Sequence, residues 1–160
     1  MSRSRPLKRG SFQTTGVAVR HDDAGEEAEL LEVVVYMDSD KNIHIAYPGL
    51  FTDGRSGECF YYVIGTPYKT KYLRAYIIHD WYCAKAKLLP LAERARLRLA
   101  CDKQLRDETL KALGAGWWRR AWTYIAVRAH AFKHRNEPVV DWREDFATIE
   151  ASQKGGDNPL

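Results

Sequence analysis

Two polar residues interrupt an apolar run. Lys71 to Ala84 reads KYLRAYIIHDWYCA, with His79 and Asp80 inside it. An imidazole beside a carboxylate suits general acid–base work, because histidine changes charge near neutral pH and a neighbouring acid fixes its tautomer. On a helical wheel at about 100° per residue, Leu73, Ile77 and Ala84 define an apolar stripe, with Tyr76 and Cys83 at its edge. Asp80 falls within that stripe, and His79 lies one step round. A carboxylate facing a core is costly unless it is paired, hydrogen-bonded or metal-bound, so Asp80 calls for a partner.

A second acid repeats the pattern. Leu91, Ala95, Thr109 and Leu113 share a helical face, and Asp102 falls among them. The break at Leu89-Pro90 makes the two helices antiparallel neighbours. Counting back from it at about 1.5 Å per residue sets Asp80 and Asp102 within roughly one turn of the same depth. His79 then sits between two carboxylates, one to fix its tautomer and one to hold a cation. The sequence also supports a structural reading. Arg98 and Arg106 flank Asp102 at four residues on either side, the spacing of helix-surface ion pairs. Asp80 can accept core hydrogen bonds, and His79 can be a satisfied core histidine.

The elements that position these residues read as strands first and helices after. Phe12–Val19 is a weak strand, Leu30–Met37 a strong one, and Asn42–Tyr47 pairs with it across the turn at Asp38 to Lys41. Pro48–Gly57 is a loop, and Cys59–Ile64 is a short apolar run. The first helix spans Thr70–Leu88 with Thr70 as its N-cap. The second begins at Pro90 and stops at Gly114-Ala115-Gly116. The third covers Trp117–Phe132. The fold class is α+β: a small antiparallel sheet or hairpin region, then a three-helix unit packed on it. Residues 1–10 read as a disordered basic arm, 11–150 as a single domain, and 151–160 as a flexible tail.

The chain has 160 residues, of which 45% are hydrophobic, enough for one domain with a core. The net charge is +4, and Arg3, Arg5, Lys8 and Arg9 contribute much of it. Such an arm either binds nucleic acid or is solvated. No run of about 18 apolar residues exists, so no membrane span is expected, and no apolar stretch follows the basic start to make a signal peptide. The three cysteines, Cys59, Cys83 and Cys101, form no CxxC. That argues against a disulfide framework or a structural zinc site and for a reducing compartment. His130 and His134 are four apart without an evident third ligand. Trp117, Trp118 and Trp122 beside Arg119 and Arg120 suit either nucleic-acid stacking or helix packing.

Four segments carry a resemblance: TDGRSG (Thr52 to Gly57), KYLRAYIIHDWYCA, ACDKQLRDETLKALGAG (Ala100 to Gly116) and WRRAWTYIAVR (Trp118 to Arg128). Over roughly residues 43–132 the chain resembles the phage and bacterial family catalogued as domain of unknown function 1353. It departs at Arg55, where the family has a small residue, and at Tyr82, one place early. The resemblance implies a phage or prophage origin. It also implies a host-cytoplasm or virion location and phage structural or host proteins as partners, but no activity. It points to Arg128, the last residue of YIAVR, as an inward cation for a buried acid.

The order of a DG loop, an HD helix and a later Asp is in addition similar to bacterial phospholipases of the A-two type. That likeness implies His79 as general base, Asp102 as the acid that orients it, and Asp80 with Asp53 as ligands of a divalent cation. Oxygen donors favour calcium over zinc. Two functions follow: a noncatalytic virion component or host-interaction factor, and a cation-dependent hydrolase.

Overall fold

The computed structural model describes residues 8–21, 28–52 and 71–133. Six short strands come first: β1 (Ser11–Phe12), β2 (Val19–His21), β3 (Ala28–Leu30), β4 (Val34–Met37), β5 (Ile43–Ala46) and β6 (Phe51–Thr52). They form two antiparallel three-stranded sheets, ordered β1-β4-β5 and β2-β3-β6. Three helices follow. α1 is Leu73–Lys87 and α2 is Leu91–Gln104, which continues through a π-helical stretch (Leu105–Thr109) into a last turn (Leu110–Ala112). α3 is Trp117–Lys133. The class is α+β, as expected.

The β4–β5 hairpin forms as its alternation predicts, with Val35 opposite Ile45 and Tyr36 opposite His44. Asp38 closes its turn by accepting bonds from the Asn42 backbone N–H at 2.7 Å and side-chain amide at 2.8 Å, a common role for aspartate in turns. The expected single strand over Leu30–Met37 is two strands in different sheets. Leu30 and Leu31 bond outward to Leu50 and Ala18, and the chain bends at the exposed Leu31 and Glu32 before β4 begins. A run of β-forming side chains does not say whether a bend divides it. The expected strand over Phe12–Val19 is likewise reduced to its ends.

α1 is the central element. Its Ile77, Ile78 and Trp81 pack on Leu30, Val34, Tyr36 and Ala46 of the strands and on Leu50 just before β6. On another side, Tyr72 and Ala75 join Leu105, Leu110 and Val127 of the other helices and Ala115 of the connection between them. A helix covered on more than one face must satisfy any polar residue internally. Its N-cap is Tyr72, with no side-chain cap. The expected cap, Thr70, lies outside the described residues. α2 ends as predicted: Gly114 takes φ 76°, and the N–H groups of Gly114 and Ala115 return to Lys111 and Leu110 carbonyls.

One face was misjudged. Leu91 is 62% exposed and Ala95 is exposed too, while Cys101, Asp102, Leu105 and Thr109 are buried. Leu91, Ala95 and Asp102 all precede the π-helical stretch and share one regular face, so a wheel gives their direction while cover from neighbouring elements decides which turn is buried.

Candidate functional site

His79 and Asp102 meet between α1 and α2. Contacts run from Lys87 with Arg94, through Cys83 with Cys101, to His79 with Asp102, so the two helices are antiparallel. His79 Nε2 is 2.8 Å from Asp102 Oδ1, and its Nδ1 is 3.3 Å from Asp80 Oδ1. The imidazole therefore lies between two carboxylates, as the depth argument expects. Asp102 completes a second bond with its other oxygen, which accepts from Arg128 Nη1 at 2.9 Å. Arg128 turns inward, and the pair links α3 to α2. The surface ion pairs proposed for Asp102 do not form: Arg106 instead grips Asp107 with two bonds of 2.7 and 2.6 Å.

Burial separates the two acids. His79 is 4% exposed and Asp102 1%, whereas Asp80 is only partly buried. Asp53, the expected loop ligand, lies outside the described residues, as do His134 and Cys59.

Charge follows geometry. Burial alone would push Asp102 up, but hydrogen bonds and charge from His79 and Arg128 hold its carboxyl below the usual range. Burial would likewise push His79 down. The Cys83 sulfur and the hydrogen bonds to Asp102 and Asp80 outweigh it, and the imidazole pKa lies well above its ordinary value. The Cys101 sulfur and burial push the Cys83 thiol well up, against the pull of His79.

The cysteines are what sequence reasoning missed. Cys83 Sγ lies 3.6 Å from His79 Nε2 and 3.8 Å from Cys101 Sγ. The signal was local: Cys83 is one turn after His79, and Cys101 adjoins Asp102. His79, Cys83, Cys101 and Asp102 each offer an atom within 4.8 Å of the others.

A cleft of about 330 Å³ opens beside this cluster, lined by His44, Tyr82, Cys101, Gln104 and Glu108 among others. Its polar end was also missed. His44 Nδ1 is 2.8 Å from the Tyr82 hydroxyl, and Nε2 is 3.1 Å from Asp38 Oδ2 and 2.9 Å from the Gln104 side-chain amide. Burial first, then the Asp38 charge, pushes the Tyr82 hydroxyl up.

On α3, Trp117 and Trp118 are 62% and 67% exposed and meet edge to face. The neighbouring arginines face inward: Arg119 lies over the Tyr72 ring, and Arg120 reaches the Arg106 carbonyl at 3.5 Å. No helix among the described residues is long and apolar enough to cross a membrane.

No curated protein and no solved structure matches the chain, so the phospholipase likeness gains no support from them. A family model described as "Protein of unknown function (DUF1353)" matches residues 28–127, a span that holds β3, α1, α2, His79 and Asp102 and ends one residue before Arg128. That match covers more than half of the sequence, and the chain belongs to this family.

Proposed function

We propose that this chain is a phage- or prophage-encoded accessory protein that acts by binding, as a virion component or a host-interaction factor. On this reading the His79–Asp102–Arg128 network is part of its core. The observation that supports this most is the enclosure of His79. It is 4% exposed, and a carboxylate meets each ring nitrogen. A general base must come within hydrogen-bond reach of a substrate proton. The cleft is lined by His44 rather than His79. The network also joins α1, α2 and α3 through Asp102, as a structural fastening would. The phage assignment rests on the family resemblance.

A second reading is favoured by the 2.8 Å contact between His79 and Asp102, the geometry of an acid that orients a base. In it, the protein is a divalent-cation-dependent hydrolase of the phospholipase or esterase type, with His79 as base, Asp102 orienting it, and calcium held by Asp80 and Asp53. One experiment separates the two. Ester and phospholipid substrates are incubated with the full chain in calcium, magnesium or zinc. The binding reading expects no turnover in any arm. Turnover that His79→Asn abolishes at unchanged melting temperature would establish the hydrolase. Nucleic-acid binding by the basic arm is checked by titrating duplex DNA at two salt concentrations.

A further inference from the structure

We propose that His79, Cys83, Cys101 and Asp102 form a binding site for one tetrahedral, thiophilic divalent ion, with zinc the best fit. This inference goes beyond the binding reading above and does not depend on it.

The donor set is the first argument. Two thiols, an imidazole and a carboxylate are ligands that zinc accepts, and four protein ligands close its coordination shell. Such closed sites are structural rather than catalytic. The positions come from the two helices. His79 and Cys83 are four apart on α1, so they stack on one face a turn apart. Cys101 and Asp102 are adjacent on α2, and both are buried against α1.

Distance is the second argument. With zinc–sulfur bonds of about 2.3 Å and zinc–nitrogen bonds of about 2.0 Å, a tetrahedron has sulfur–sulfur edges of about 3.8 Å and nitrogen–sulfur edges of about 3.5 Å. The protein shows 3.8 Å between Cys83 and Cys101 Sγ, and 3.6 Å from Cys83 Sγ to His79 Nε2. The nitrogen–oxygen edge of such a tetrahedron is about 3.3 Å. His79 Nε2 and Asp102 Oδ1 stand at 2.8 Å, so this edge opens by about half an ångström when an ion replaces the shared proton.

The surroundings are the third. A zinc-bound histidine usually donates its other N–H to a carboxylate, which fixes the ring. His79 Nδ1 has Asp80 Oδ1 at 3.3 Å, and Cys83 Sγ lies 3.8 Å from the same nitrogen. Two thiolates and a carboxylate bring one negative charge more than zinc offsets. Arg128 sits on the outer oxygen of Asp102 and supplies a positive charge there. Cys101 also lines the neighbouring cleft, which gives an ion a way in.

The test uses the full chain, stripped with a chelator and kept reduced with a phosphine. Zinc is titrated by calorimetry and cobalt(II) by absorbance. The expected result is one equivalent of each ion. Cobalt should show sulfur-to-metal charge transfer and the intense visible bands of a tetrahedral ion. Cys83→Ser and Cys101→Ser should each weaken charge transfer and lower affinity by tenfold or more. Cys59→Ser should leave the spectrum unchanged. Asp80→Asn, which keeps every ligand, should lower zinc affinity by about 10- to 100-fold. Failure of the wild-type chain to bind either ion in a one-to-one ratio overturns the proposal. So does a cobalt spectrum that survives both cysteine variants or is lost in Cys59→Ser. Either failure leaves the binding reading standing.

Discussion

Asp102 on α2 meets His79 on α1 at 2.8 Å, in a place where neither side chain is more than 4% exposed. A buried carboxylate is tolerated only when its lone pairs are filled. Asp102 fills them with His79 on one oxygen and Arg128 on the other.

Removing the outer partner should be costly. Arg128→Met leaves one Asp102 oxygen without its cation, and a loss of about 1–3 kcal/mol is expected for an unsatisfied buried acceptor. Arg128 is itself partly exposed, which places the loss toward the lower end. Arg128→Lys should recover only part, because the ammonium is more strongly hydrated than the guanidinium and gives up its water less readily at a buried oxygen. Urea unfolding of the three proteins reads this directly. A neutral Arg128→Met would mean the contact contributes nothing.

The hairpin turn gives a pH prediction. Burial pushes the Asp38 carboxyl up, but hydrogen bonds from Asn42 and His44 outweigh it and hold the group below its ordinary value. A depressed folded pKa gives stability that is present above the unfolded value. It is lost as pH falls through the folded one, here below about pH 4. Carboxyl NMR titration should place the Asp38 midpoint below that of ordinary aspartates. A midpoint at or above them contradicts the hydrogen-bonding pattern.

Tryptophans should divide sharply by position. Trp81 is 1% exposed in the contact between α1 and the strands, with Tyr47 edge-on at 5.4 Å. Trp81→Ala should cost about 3–5 kcal/mol through the cavity left behind. Trp118 is 67% exposed, and Trp118→Ala should stay within about 0.5 kcal/mol of wild type. Thermal unfolding compares them, and similar losses for both would refute this core.

The sequence made the helices legible because their punctuation is local. Pro90 opens one helix, and the glycines at 114 and 116 close it. His79 and Asp102 were legible as polar residues on apolar helices, and their meeting followed from the short break between them. The bend at Leu31 was not legible, because β propensity spans both strands on either side of it. The exposure of Leu91 and Ala95 was not legible either, because a wheel gives a residue's direction and not whether a neighbour covers that turn. Cys83 and Cys101 lie 18 residues apart, and only the packing of two helices brings their sulfurs together. His44 and Tyr82 are joined in the same way across 38 residues.

The central claim is that the network around Asp102 holds the fold together rather than performing catalysis. The unfolding free energy of Asp102→Ala tests it most directly, measured in urea with a chelator present so that no bound ion contributes. Removing Asp102 strands His79 and Arg128, and a structural network predicts a loss of about 3–5 kcal/mol. A catalytic arrangement is commonly strained, and its removal leaves stability unchanged or raises it. An Asp102→Ala protein as stable as wild type, or more so, would contradict the account.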